Sequence, residues 1–285
     1  MRRRQLLLAA AVGGAGMLWG LRAKNSDNGG VHSAYFQTLS TALDNAGLAR
    51  PTLIIDKQKL LANANILHQH LAGRYDYRVV AKSLPSLPLL ETVMSHTGTQ
   101  RLMVFHQPFL NLITNELPNT DVLLGKPMPV AAAARFYQQH KTTQFDARHQ
   151  LQWLVDAPAR LIQYADLARQ RRELMLINLE LDVGLHRGGI KDEEQLAVAL
   201  DIIEREPFLQ FSGFMGYDPH VSKNPRLLGG PEAAFSSVQK VYQNFVTTAE
   251  RQLQRSLSGL TLNAAGSPTY QRYTGAQVAT ELSAG

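Results

Sequence analysis

The chain has 285 residues, 29 Lys+Arg against 23 Asp+Glu, a net charge of +6 and no cysteine. The missing cysteine excludes disulfides, thiolate metal sites, iron–sulfur clusters and cysteine nucleophiles. A 45% hydrophobic and 18% charged composition excludes a wholly disordered chain. Arg2, Arg3, Arg4, Arg22 and Lys24 precede residue 25 with no acid among them, which leaves about +1 on the remainder. A nearly neutral body has no basic patch for a nucleic-acid partner.

Residues 6–21, LLLAAAVGGAGMLWGL, are uncharged and follow the start MRRRQ. A basic start and a short apolar run make an export signal, and the arginine cluster resembles a twin-arginine signal. The run is short of the ~20 apolar residues that span a bilayer. Residues 1–24 therefore read as a signal peptide. That implies a periplasmic protein, exported or anchored by an uncleaved segment, whose membrane contact is confined to that segment. Residues 25–50 read as a linker and lead-in, and 51–285 as one domain.

TLIID at 52–56 is a β-branched apolar run and predicts a strand. Asp56 then caps a helix through 57–72, where Leu60, Ala64, Leu67 and Leu71 share a face; Gly73 ends it. Further strands are predicted at 77–81, 102–106, 121–124, 152–156, 174–183, 209–217, 260–264 and 276–282. Helical patterns fall at 85–97, 107–117, 129–140, 158–171, 192–205 and 232–256. LMLINLELDV is apolar at nearly every position, as a strand covered on both faces is. The alternation predicts a parallel sheet with right-handed crossovers. Counted from residue 77, the eight strands suit a closed (β/α)8 TIM-like barrel. The competing open, doubly wound sheet lacks a glycine-rich nucleotide loop.

A barrel of this kind forms its active site at the carboxyl ends of its strands. Lys82, His106, Asp156, Asp182, His186, Arg187, Tyr217, Asp218 and His220 fall there, with Gly266, Ser267 and Thr269. Lys82, directly after YRVVA, is expected to be partly desolvated, which favours the neutral amine that attacks a carbonyl. The alternative is a surface lysine. Asp182-x-Gly184-x-x-Arg187 joins a turn-permitting glycine to a guanidinium fork. The alternative there is a helix-capping salt bridge. AGSPT at 265–269 could cradle a phosphate on N–H groups and two hydroxyls, a signal shared with many ordinary turns.

In this order the pieces resemble the fold-type III pyridoxal-phosphate enzymes, the alanine racemase-like barrels. Within them the branch of D-threonine aldolase and D-serine dehydratase is the most similar. PTLIID with Asn65, YRVVAK at 77–82, LELDVGLHRGGI at 179–190, GFMGYDPHV at 213–221, AGSPT at 265–269 and ATELSAG at 279–285 carry the likeness. Pro219 stands where that branch has glycine. By the resemblance Lys82 forms the Schiff base with pyridoxal 5'-phosphate and is catalytic. Arg187 is a ring-side contact, Tyr217 a cofactor-contacting and catalytic residue, and Gly266, Ser267 and Thr269 phosphate ligands. The resemblance also implies a C-terminal β domain, truncated or absent here, that would carry the ligands of a divalent metal. It implies a homodimer as well. ATELSAG would follow the last barrel strand.

The function so implied is a lyase acting on β-hydroxy D-amino acids, by aldol cleavage or by dehydration. An amino-acid racemase of the same fold and a non-catalytic cofactor-binding barrel are the alternatives. A glycan-cleaving barrel would use paired carboxylates such as Asp156 and Asp182, but neither of the two tryptophans stands at a strand end.

Overall fold

The computed structural model describes residues 30–285 except 141 and 143; the expected signal segment at 1–24 lies outside the described residues. The chain divides into two compact units, one ending at Ile55 and one spanning Asp56–Gly285. In the first, helix α1 (Ala34–Asn45) occupies part of the stretch read as lead-in, and none of its residues is buried. The strand expected at 52–56 is not formed. Leu53 is 86% exposed, and Ile54 and Ile55 are exposed too. A β-branched run becomes a strand when a neighbouring strand takes up its backbone hydrogen bonds. The strands of the second unit pair only with one another.

The second unit opens with α2 (Lys57–Leu71), whose cap Asp56 accepts the Lys59 N–H at 3.0 Å. Strands β1 (Asp76–Val80), β2 (Arg101–Val104), β3 (Asp121–Leu124) and β4 (Leu151–Val155) follow. They are joined by α3 (Leu87–Thr97), α4 (Gln107–Glu116), α5 (Val130–Gln139) and a single turn, α6 (Ala147–Gln150). After α7 (Pro158–Arg171) come β5 (Met175–Leu181), α8 (Glu193–Arg205), β6 (Leu209–Gly216), α9 (Gly230–Leu253), β7 (Thr261–Ala264) and β8 (Glu281–Ala284). All eight strands are parallel and close in chain order. The barrel expected from the alternation is the fold.

The last strand departs from expectation. The apolar pattern puts it at 276–282, but it runs Glu281–Ala284, so ATELSAG is the strand itself and not its sequel. Residues 274–278 fold back locally instead. Gly275 takes φ 104°, and the Gln277 side chain accepts from the Thr274 N–H at 2.9 Å and the Tyr75 hydroxyl at 2.7 Å.

Helix α8 shows how the outer layer is built. Asp192 caps it by accepting the Gln195 N–H at 2.8 Å, and Leu196, Ala199, Leu200 and Ile203 form one buried face. Burying each such leucine is worth ~1.5–3 kcal/mol. The barrel interior is partly polar. Gln152 of β4 reaches Thr261 of β7 at 2.9 Å, and Asn263 of β7 donates to Glu281 and Ser283 of β8 at 2.6 and 2.8 Å. Arg78 of β1 is fully buried and donates to both Glu281 oxygens at 2.6 and 2.8 Å and to Asp121 at 2.5 Å. Desolvation works against its charge, but the two carboxylates outweigh it and hold the guanidinium charged. This cluster ties the amino ends of β8 and β3 to β1.

Candidate active site

The carboxyl ends of the strands enclose a cavity of about 260 Å³. Lys82, Phe105, Arg187, Tyr217 and the turn at 265–268 line it, and Asn263 and Ser283 reach it from β7 and β8. Lys82 lies in a single 3-10 turn, Ala81–Ser83, that continues β1. The expected desolvation of this lysine is not seen; the strand ends at Val80, and the turn carries Lys82 out to an exposed position. Its Nζ stands 4.6 Å from the centre of the Phe105 ring. Gly125 makes room for that ring, because a Cβ there would come within 2.3 Å of it.

Arg187 is held from its own strand. Glu180 of β5, almost fully buried, accepts from its Nε at 2.9 Å and stands 2.8 Å from its Nη2 as an ion pair. The guanidinium carbon lies 4.5 Å from the centre of the Tyr217 ring, a cation–π arrangement. The partner of Arg187 is therefore a strand carboxylate, not a helix end. The loop between them is shaped by Asp182, which accepts the N–H groups of Gly184 and His186 at 3.1 and 2.9 Å and pairs with His186 Nδ1 at 2.8 Å. Burial alone would raise the Asp182 pKa, but these hydrogen bonds hold it below the usual carboxylate range. Gly189, at φ 103°, closes the loop where a Cβ would lie 2.8 Å from the Asp182 nitrogen.

The 265–269 turn is braced from beneath. A Cβ on Gly266 would lie 2.7 Å from the Tyr217 ring, so the glycine lets ring and turn close on each other. Ala265 holds φ 67°, a left-handed conformation that costs a non-glycine residue ~1 kcal/mol or more. The two hydroxyls expected to bind phosphate are already engaged. Thr269 is fully buried and outside the cavity lining; its Oγ1 accepts the Gly266 N–H at 3.1 Å and donates to Asp218 at 2.6 Å. The Ser267 hydroxyl donates to the Gly285 carbonyl at 2.6 Å, although Ser267 itself is exposed on the cavity. Asp218 is fully buried, with Thr269 and the Tyr273 hydroxyl, at 2.8 Å, as donors. Burial pushes its pKa up against the pull of those two hydrogen bonds.

Five of the six expected site residues, Lys82, Arg187, Tyr217, Gly266 and Ser267, thus share one cavity, and Thr269 supports it. His106, Asp156 and His220 do not line it. His106 occupies the N-cap position of α4 without a side-chain capping bond, Asp156 pairs with Arg160 at 2.6 Å, and His220 lies against Gly184 with its Nδ1 buried and unpartnered. Phe105, Glu180, Asn263 and Ser283 belong to the site without having been singled out. Phe105 sits beside His106 at a strand end and was legible there; the others were hidden inside strands read as core. Among the described residues no three His, Asp or Glu side chains converge to hold a metal.

The model of the alanine racemase N-terminal domain matches residues 55–285. The chain belongs to the alanine racemase N-terminal domain family. Its barrel is similar to D-threo-3-hydroxyaspartate dehydratase from Delftia sp. HT23, at 18% identity and TM-score 0.67 over 84% of this chain and 60% of that one. It is similar to D-threonine aldolase from Filomicrobium marinum, at 15% identity and TM-score 0.68 over 84% and 62%. It is also similar to alanine racemase from Bacillus anthracis, at 14% identity and TM-score 0.65 over 83% and 58%. At these identities the likeness establishes the fold, and the chain spans about 60% of the length of these proteins. No curated protein matches the chain. Alanine racemase-like barrels bind pyridoxal phosphate. The residues of this cavity fit that group: an exposed primary amine beside Phe105, a guanidinium over a phenol ring, and the 265–268 turn along one wall.

Proposed function

We propose that the Asp56–Gly285 barrel is the cofactor-binding part of a pyridoxal-phosphate-dependent lyase that acts on β-hydroxy D-amino acids, of the D-threonine aldolase or D-serine dehydratase type. The observation that carries this is the convergence of Lys82, Arg187, Tyr217 and the 265–268 turn on one cavity. Lys82 would hold the cofactor's aldehyde carbon, Gly266 and Ser267 its phosphate end, and Arg187 the side of its ring nitrogen. When bound, the cofactor supplies an electron sink for negative charge at the substrate Cα.

The chain's own residues supply orientation and proton movement. The Lys82 amine, 4.6 Å from the centre of the Phe105 ring, is the group placed to take a proton from the substrate or return it. Tyr217, wedged between Gly266 and Arg187, would contact the cofactor, and its phenol is a further proton-bearing group on the cavity wall. Glu180 keeps Arg187 from turning away into solvent. A divalent metal acting as Lewis acid at the β-hydroxyl belongs to this proposal, with ligands other than the residues named here.

The reading is tested by purifying the protein, recording its visible spectrum, reducing it with borohydride and mapping the label by mass spectrometry. A label on Lys82 is expected; no label, or one elsewhere, rejects it. The family match favours one second reading, racemisation, which needs a proton-bearing group on each face of the Cα. Product analysis from single D- and L-amino acids separates the two: glycine plus aldehyde, or a keto acid, against the opposite enantiomer. We also propose a homodimer and export to the periplasm through the 1–24 signal. Sedimentation and cell fractionation test these.

A further inference from the structure

A second groove, of about 460 Å³, lies beside the site cavity. Pro85, Phe105, His106, Pro108, Phe109 and Leu112 line it, with Lys82 at its border. Lys82 and Phe105 also line the site cavity, so the two spaces meet at the amine. The groove is built by the turn after β1 and the first two turns of α4, where Pro108 stands in the first turn. The His106 and Phe109 rings are 6.0 Å apart and inclined by 31°. Leu112 remains 41% exposed, turned to the groove from the next turn of the helix.

The lining discriminates between substituents. Lys82 and His106 are its only titratable groups, and no arginine or second lysine stands ready for an anionic side chain. A carboxylate placed among Pro85, Phe109 and Leu112 would lose hydration with no guanidinium or second ammonium in the lining to pair with it. A methyl group would leave most of the space to water. A flat apolar ring would bury its faces on Phe109, Leu112 and the two prolines. We infer that this groove is the subsite for the substrate's side chain and that the preferred substrate is an amino acid bearing an aromatic ring on its β-carbon. The inference rests on the placement of the reacting carbon at Lys82 proposed above.

The test compares three β-hydroxy D-amino acids carrying phenyl, methyl or carboxylate on the β-carbon, after cofactor attachment at Lys82 has been measured. The phenyl substrate is expected to lead the methyl one in kcat/KM by about tenfold or more, and Phe109→Ala and Leu112→Asp to lower that ratio about tenfold. In parallel, ligand-observed NMR follows 3-phenylpropanoate and propanoate on the protein without cofactor, with circular dichroism as the check on folding. The phenyl probe is expected to bind more tightly, and to lose that advantage in Leu112→Asp. Attachment at Lys82 without a phenyl preference overturns the subsite and leaves the cofactor reading standing. No attachment, or no turnover, overturns the lyase reading instead. The NMR comparison then decides the subsite: equal binding of the two probes, or phenyl binding untouched by Leu112→Asp, rejects it.

Discussion

Two arginine–glutamate pairs occupy opposite ends of the barrel strands, and they differ in what surrounds them. Arg78 and Glu281 meet at the amino ends, both fully buried, with Asp121, Asn263 and two backbone carbonyls saturating what remains. Arg187 and Glu180 meet at the carboxyl ends, where the carboxylate is buried but the arginine side chain is 23% exposed and lies over Tyr217. The first pair has every bond inside the protein and nothing left to offer a ligand. The second leaves one face of a guanidinium beside a cavity. Burial and saturation make an ion pair a fastener, whereas partial exposure makes it a site.

The largest expected effect falls on the open end. Lys82→Ala should abolish the borohydride label and lower turnover by about 10²–10⁴-fold or more, with an unchanged circular dichroism spectrum because Lys82 is exposed. At the closed end Glu281→Ala strands a buried guanidinium and should cost about 3–5 kcal/mol in urea unfolding. Equal stability losses from Glu281→Ala and Glu180→Ala would break the contrast between the pairs. Gly189→Ala combines φ 103° with a clash on the Asp182 backbone and should cost roughly 1–3 kcal/mol, read as a lowered Tm. Arg187→Leu should weaken cofactor binding about tenfold and, because it leaves the buried Glu180 carboxylate without its partner, lower stability by about 1–3 kcal/mol, checked by cofactor titration and thermal melts.

The smallest effect separates two aspartates of the open end. The Asp182 pKa is lowered in the fold, so its contribution is present at neutral pH and lost as pH falls through the lowered value. Asp182→Asn should therefore be less stable than wild type at pH 7, with the gap closing in acid. The Asp218 pKa is raised, so its buried charge weighs on the fold above that pKa and is relieved below it. Wild type should gain on Asp218→Asn as pH falls. Unfolding series from pH 7 to about 3 read both; parallel curves for the two variants would contradict the assignment.

The legible and hidden parts of the chain divide along similar lines. LMLINLELDV and LTLNA read as strands because buried parallel strands are apolar at nearly every position. The helix after Asp56 was legible from its cap and from the spacing of Leu60, Ala64, Leu67 and Leu71. TLIID read as a strand for the same compositional reason, but among the described residues no strand pairs with it. Strand β8 was misplaced because 276–282 looks apolar, while the charge of Glu281 is accommodated inside the barrel by its bonds to Arg78 and Asn263.

By itself the sequence determined the alternating βα order, and with it the barrel, since right-handed crossovers between buried strands leave few other closures. It also determined which residue types stand at the strand ends, because a strand's length sets where it stops. Tertiary structure alone decided which of those residues share a cavity. Arg187 was drawn to Glu180, Lys82 onto Phe105, and Thr269 down to Asp218, away from the cavity it was expected to line. Such choices depend on contacts that reach as far as Asp218 and Thr269, 51 residues apart, and the residue type at a strand end does not name its partner.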